Sequence, residues 1–175
     1  MGHPTHDTRT FREALSRLGA AVNIVTTDGP CGRHGLTASA VCSVSDTPPT
    51  VLVCVNRQSS AHDCLTGNRV LCINILAGRH EPLSNRFGTR GMEVASKFEG
   101  TDWKTLDTGS PALADAVANI DCAIVDVKTV GTHSVLFCEV RAIELSPQPE
   151  SLIYFDRHYH RLASRLQPAS EGTTA

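Results

Sequence analysis

The chain lacks the marks of several large protein classes. No apolar run in its 175 residues approaches the length that spans a bilayer, which excludes a transmembrane helix. The opening Met-Gly-His-Pro-Thr-His-Asp lacks the charged and greasy sections of a signal peptide, so a cytoplasmic location is expected. Net charge is −2 with no basic block, which argues against a nucleic-acid surface. The phosphate cradles G-x-G-x-x-G and G-x-x-x-x-G-K-[ST] are missing, and so are G-x-S-x-G and H-E-x-x-H. Seven cysteines are present, but their number is odd and no pair has C-x-x-C spacing. A disulfide framework and a zinc site therefore both fit poorly. Cysteines set in apolar runs, such as Val53-Cys54-Val55 and Leu71-Cys72-Ile73, read as free thiols acting as small buried hydrophobes.

Apolar residues make up 41% of the chain, enough for one domain with a real core. Phe11, Ala14, Leu15 and Leu18 share one helical face, with Thr10 and Glu13 as a capping box and Gly19 closing the far end. Strands are predicted at Ala20–Thr27, Gly35–Ser43, Thr50–Val55, Val70–Leu76, Ala118–Lys128, His133–Leu145 and Ser151–Phe155. A short helix is predicted to start at Ser59 or Ser60 and end at Gly67. Arg79–Phe98 reads as helical pieces broken near Gly88 and Gly91, and Thr101–Ala112 as loop. The polar tail 167–175 is expected to be disordered. Strands and helices do not alternate strictly, so a doubly wound parallel sheet is disfavoured. The expected fold is mainly β with small helices, an antiparallel barrel of six or seven strands, in one domain over residues 8–166.

Four segments carry the chemistry. In Gly35–Ser43, small apolar and hydroxyl residues alternate without a charge. Thr37, Ser39, Val41 and Ser43 point one way; Leu36, Ala38, Ala40 and Cys42 the other. Such a strand lets a large flat ligand approach its backbone, although an ordinary barrel wall reads the same way. Asn56-Arg57-Gln58-Ser59-Ser60 opens a helix after a strand, a place for a phosphate or simply a cap. His133 stands at a strand mouth after Gly131-Thr132, where it can orient a polar ligand or be merely exposed. Leu152–Tyr159 is aromatic and basic; it either walls a pocket or packs on the barrel.

In order and spacing these segments resemble the short-chain flavin reductases, from about Phe11 to Tyr159. The resemblance includes Phe11-Arg12-Glu13-Ala14-Leu15, Ala21–Thr27, Gly35–Val44, Asp46–Pro49, Cys54-Val55-Asn56, Gly131-Thr132-His133 and Leu152–Phe155. It is strongest to reductase components of two-component aromatic hydroxylases, of the 4-hydroxyphenylacetate and chlorophenol type. It implies an FMN-binding split barrel with Greek-key topology. It also implies a homodimer sharing its pocket between subunits, and NAD(P)H:flavin oxidoreductase activity. Thr37, Ala38, Ser39, Ala40, Cys42 and Ser43 would lie along the flavin, FMN or FAD. Asn56, Ser59 and Ser60 would hold its ribityl and phosphate end, and Lys97 and Phe98 would match a Lys-Phe pair nearby. His133 would act at the nicotinamide, bordered by Tyr154, Phe155 and Arg157. The family often has Gly-Asp-His where this chain has Gly-Thr-His, the form common among hydroxylase reductases.

Hydride transfer between cofactors needs little acid–base help, which agrees with the missing triad. Reduced flavin would pass to a separate oxygenase. The absence of an Arg cluster for a 2′-phosphate leans to NADH over NADPH. The main rival is a flavin- or haem-binding split barrel without catalysis. An oxidase of the pyridoxamine-phosphate type would call for more cations than the three lysines, Lys97, Lys104 and Lys128, suggest.

Overall fold

The computed structural model describes residues 7–147 and 150–163. The tail 167–175 and the end of the proposed domain at 164–166 lie outside the described residues. Seven antiparallel strands form the main sheet. They are β2 (Asn23–Thr27), β3 (His34–Ala38), β4 (Val41–Asp46), β5 (Pro49–Asn56), β6 (Val70–Ile75), β9 (Ala118–Val130) and β10 (His133–Leu145). Their spatial order is β3-β2-β6-β9-β10-β5-β4. The two edge strands, β3 and β4, are separated by only Ser39 and Ala40. Two linking residues span about 10 Å at most, so the sheet must curl until its edges meet. The barrel is thus closed by chain connection.

The predicted strand Gly35–Ser43 is therefore two strands with a break. Ala40 marks the crossing, where its carbonyl accepts from Cys54 N–H at 3.0 Å. Ala20–Thr27 divides as well. β1 (Ala20–Ala21) pairs with β11 (Glu150–Phe155), and β2 joins the barrel. Val22 bridges the two by hydrogen bonds to Leu152 and Leu76. β12 (His158–Ala163) completes a three-stranded sheet beside β11 and was not foreseen. Asp156 and Arg157 make its tight turn with left-handed backbone, φ 47° and 64°. The predicted loop at 101–112 contains a short hairpin, β7 (Trp103–Thr105) with β8 (Pro111–Leu113).

Alternation along β2 feeds two cores, Val25 entering one and Ile24 the other. Val25, Val53, Val55, Leu65, Leu71, Ile73 and Leu136 pack together in the first. Val22, Ile24, Leu76, Leu83, Phe87, Phe98 and Leu113 form the second, which includes residues of α3 (Glu81–Gly88) and α4 (Val94–Phe98). Asn74 fastens β8 to the barrel: its Nδ2 donates to Ile24 O at 2.8 Å and its Oδ1 accepts from Leu113 N at 2.7 Å.

Three local expectations need correction. The opening helix, α1 (Thr8–Ser16), is capped by Asp7, whose carboxylate accepts from Arg9 N–H at 3.1 Å, and not by Thr10. Its apolar face is exposed, with Phe11 and Leu15 58% and 51% open, and Leu18 just beyond its end is 68% open. The second helix, α2, runs His62–Asn68, so Ser59 and Ser60 precede it in a turn. It ends on Arg69, in the left-handed region at φ 61°. Of the cysteines, only Cys72, Cys122 and Cys138 are buried; Cys54 and Cys64 are half-buried, and Cys31 and Cys42 exposed.

Candidate functional site

A cleft of about 360 Å³ opens where β3 faces the turn after β5. Leu36 and Thr37 line it from β3, Asn56, Gln58, Ser59 and Ser60 from that turn. Phe87 and Gly88 line it from the end of α3, Thr89, Arg90 and Gly91 from the following loop, and Lys97 from α4. β3 pairs with β2 alone, so its other edge is free of strand pairing.

The walls are built locally. Thr37 Oγ1 donates to Ser84 O at 2.6 Å, which ties β3 to α3. Ser84 Oγ in turn lies 2.9 Å from the Tyr159 hydroxyl on β12. Asn56 shapes its own turn: Oδ1 accepts from Gln58 N–H at 2.9 Å, and its carbonyl from Ser59 N–H at 2.9 Å. Behind the cleft, Phe87, Phe98 and Trp103 form a mutually packed aromatic triangle with centroids 5.0–5.7 Å apart. Trp103 Nε1 donates to Phe98 O at 3.2 Å, which fixes the lone tryptophan behind the lining residue Phe87.

Lys97 sets the electrostatics. It is only 4% exposed, and its Nζ makes long contacts to Gly35 O and Phe87 O, at 3.5 and 3.4 Å. Neither partner carries a charge. Burial holds its ammonium below the usual lysine range. His34 lies close enough to feel that charge. Its own proton affinity is lowered, first by burial and then by Lys97, against a backbone contact with Gly35. Among the described residues no group of His, Cys, Asp and Glu is arranged to hold a metal ion.

The structure brings Thr37, Asn56, Ser59, Ser60 and Lys97 into one cleft. Ala38 is buried beside it, its carbonyl accepting from Asn23 Nδ2 at 3.2 Å. Phe98 sits behind Lys97 in the aromatic triangle, outside the lining. Ser39 and Ala40 are exposed at the barrel crossing. Cys42 and Ser43 are exposed on β4, opposite Leu52 and Val51. They leave the cleft because the break at Ser39-Ala40 carries β4 to the other sheet edge. His133 is exposed at the start of β10, the register partner of Asn56, with Nδ1 2.9 Å from Thr132 Oγ1. Arg57 N–H donates to Thr132 O at 3.0 Å, which fixes this rim to the turn. Tyr154 and Phe155 belong to the separate three-stranded sheet, and Arg157 pairs with Glu13 of α1 at 2.6 Å. These three do not line the cleft of their own chain.

Leu36, Gln58, Phe87, Gly88, Thr89, Arg90 and Gly91 were not foreseen as lining residues. The signal for the last four was present as the glycine-flanked break in the helical segment, Gly88-Thr89-Arg90-Gly91. The chain leaves α3 at Thr89, which is extended, and Gly91 in the following loop adopts φ 74°, a backbone that favours glycine.

An antiparallel barrel with a cation- and hydroxyl-lined cleft defines a small-molecule-binding class. Residues 15–163 match the flavin reductase like domain, and the chain belongs to that family. It is 52% identical over 165 residues to the protein named FMN reductase (NADH) RutF of Enterobacter sp. (strain 638), covering 94% of this chain and 98% of that one. Identity to the protein of the same name in Escherichia coli (strain K12 / DH10B) is 52% over 163 residues, 93% and 97% of the two chains. Among solved structures, the NADH:FAD oxidoreductase SgcE6 of Streptomyces globisporus C-1027, in complex with NAD and FAD fragments, superposes with TM-score 0.84 at 27% identity, covering 95% and 99%. BorF, the flavin reductase component of a bacterial two-component tryptophan halogenase, also reaches 0.84, at 26% identity, covering 91% and 100%.

Proposed function

We propose that this chain is an NADH-dependent flavin reductase that delivers reduced FMN to a separate monooxygenase. The observation that carries the reading is Lys97, a buried cation with no anionic partner among the described residues, at a cleft that also offers Asn56, Ser59, Ser60 and Arg90. A phosphate would complete that set. Leu36 and Phe87 add apolar surface for a flat ring. A bound flavin would supply the redox chemistry, as acceptor of a hydride from the nicotinamide. The chain's part is to bind, orient and exclude water.

Asn56, Ser59, Ser60 and Lys97 hold the ribityl and phosphate end in this reading, and Thr37 and Ala38 run along the ring. His133, on the rim beside Asn56, orients the nicotinamide. FMN and NADH are the preferred pair because the curated relatives are named for them; FAD and NADPH come second. Residues 8–166 act as one domain in the cytoplasm. A homodimer belongs to the same reading. Exposed Phe11 and Leu15 of α1, with Leu18 just after it, give a second copy something to cover, and a partner would bring Tyr154, Phe155 and Arg157 to the nicotinamide side.

The test is NADH oxidation followed by absorbance, with and without added FMN. Oxidation that depends on flavin is expected. Tight flavin binding without oxidation of NADH or NADPH would instead establish the non-catalytic flavin-binding alternative.

A further inference from the structure

Cys31 lies in the turn between β2 and β3, and Cys64 in the first turn of α2. Asn68 stitches that turn to the helix. Its Oδ1 accepts from Cys31 N–H at 2.8 Å, and its Nδ2 donates to Gly32 O at 2.9 Å and Thr27 Oγ1 at 3.2 Å. The Cys64 thiol donates to Cys31 O at 3.0 Å. The Cys31 sulfur rests over Gly67, where a Cβ would come within 2.3 Å of it. Gly67 follows Cys64 by three positions and so shares its helix face. The missing side chain at 67 is what admits Cys31 to that face. The Cys31 sulfur therefore rests against the face of α2 that carries Cys64.

We propose that Cys31 and Cys64 are a redox-modification site that closes into an intramolecular disulfide when the protein meets hydrogen peroxide. The two thiols divide the work by exposure. Cys31 is open to solvent, whereas Cys64 is half-buried. Burial, then Cys31, then Asp63 hold the Cys64 thiol above its usual range, which leaves the exposed Cys31 as the thiol that meets peroxide first. In the first step the Cys31 thiolate sulfur attacks one peroxide oxygen. The O–O bond breaks, the departing hydroxide takes a proton to become water, and Cys31 becomes a sulfenic acid. In the second, the Cys64 sulfur attacks the Cys31 sulfur. The S–S bond forms, the S–O bond breaks, and a second water leaves with the proton of Cys64. Two thiols and one peroxide give one disulfide and two waters, and a dithiol reductant reverses the change. Peroxide is what reduced flavin yields on meeting dioxygen, so a flavin reductase works beside the oxidant. The bridge would lock the β2–β3 turn onto α2, the helix that follows the cleft-lining turn 56–60.

The experiment treats the reduced full chain with hydrogen peroxide, blocks remaining thiols by alkylation and maps linked peptides by mass spectrometry. Added peroxide makes the result independent of any flavin activity. A Cys31–Cys64 peptide with two hydrogens lost is expected, with Tm raised by roughly 5–10 °C and restored by dithiothreitol. Cys31→Ser and Cys64→Ser should each abolish the bridge, and Cys42→Ser should retain it. Cys31 lies in an exposed turn, so Cys31→Ser carries the test if Cys64→Ser fails to fold. Sulfinic acid at Cys31 with Cys64 still free, a link between two chains, or a different pairing would overturn the proposal.

Discussion

Ser134 Oγ lies 2.9 Å from His62 Nε2, and Nδ1 of the same ring lies 2.9 Å from Asp63 Oδ1. The order Ser–His–Asp is that of a hydrolase, but Ser134 is only 2% exposed and no substrate can reach it. The contact is a brace. It pins the start of α2, and with it the turn 56–60, to β10 one residue beyond His133. His62→Ala leaves the buried Ser134 hydroxyl without its partner and should cost about 1–3 kcal/mol. Ser134→Ala should cost less, because half-buried His62 can turn to water. Thermal melts of both variants, and of the double variant, check the asymmetry. Flavin affinity should fall in His62→Ala.

Lys97→Met should bind flavin at least about 10-fold more weakly, with the fold retained, because methionine fills the same volume without the charge. Fluorescence titration with FMN measures it. Riboflavin, which has no phosphate, should bind the two proteins with similar affinity.

His133→Ala should raise the KM for NADH or lower turnover while leaving FMN affinity in place. Steady-state kinetics with each substrate varied in turn separates the two. Kinetics unchanged in both would remove His133 from the site.

Gly35→Ala places a Cβ 2.6 Å from Phe87 Cε1 and 3.2 Å from the Val25 carbonyl oxygen. Phe87 is 2% exposed and packed in the aromatic triangle, so it has nowhere to go. A loss of about 1–3 kcal/mol is expected, with weaker flavin binding, since Phe87 lines the cleft. Chemical denaturation gives the first and titration the second.

The pH dependence of stability has a defined sign at His34. Its affinity for protons is lower in the folded chain than in the unfolded one, whose ordinary value is 6.5. Below that value the unfolded state binds more protons, so stability falls as pH drops from 6.5 through the lowered folded value. His34→Gln should flatten this acid limb in Tm measured from pH 7 to pH 5. An equal slope in both proteins would exclude His34 as its source.

The parts of this molecule that were legible in sequence are those fixed by local pattern. β6, β9 and β10 fall close to their predicted bounds because their apolar runs are long and their turns marked by glycine. Asn56, Ser59 and Ser60 do meet at the cleft, but in a turn, where the sequence reads as the opening of a helix. Gly35–Ser43 misled because its alternation continues across Ser39-Ala40 although the strand does not. Only the pairing partners, β2 on one side of the break and β5 on the other, reveal the change of direction. Thr37 stays in the cleft and Ser43 leaves it for that reason. The apolar stripe of α1 gave the helix but not its surroundings, since periodicity says that a face needs covering and nothing about what covers it.

The crossing at Ser39-Ala40 also fixes how the barrel can come apart. Ordinary strand seams are held by ladders of hydrogen bonds, which can open and reform. This one is a run of peptide bonds. β3 and β4 share no ladder, so a protease cut there, or new termini placed there by circular permutation, would remove the covalent link that keeps their unpaired outer edges side by side. Two strand edges without partners are templates for association with other chains. The permuted protein should therefore aggregate on heating, where one opened at the exposed Gly131 hairpin stays in solution.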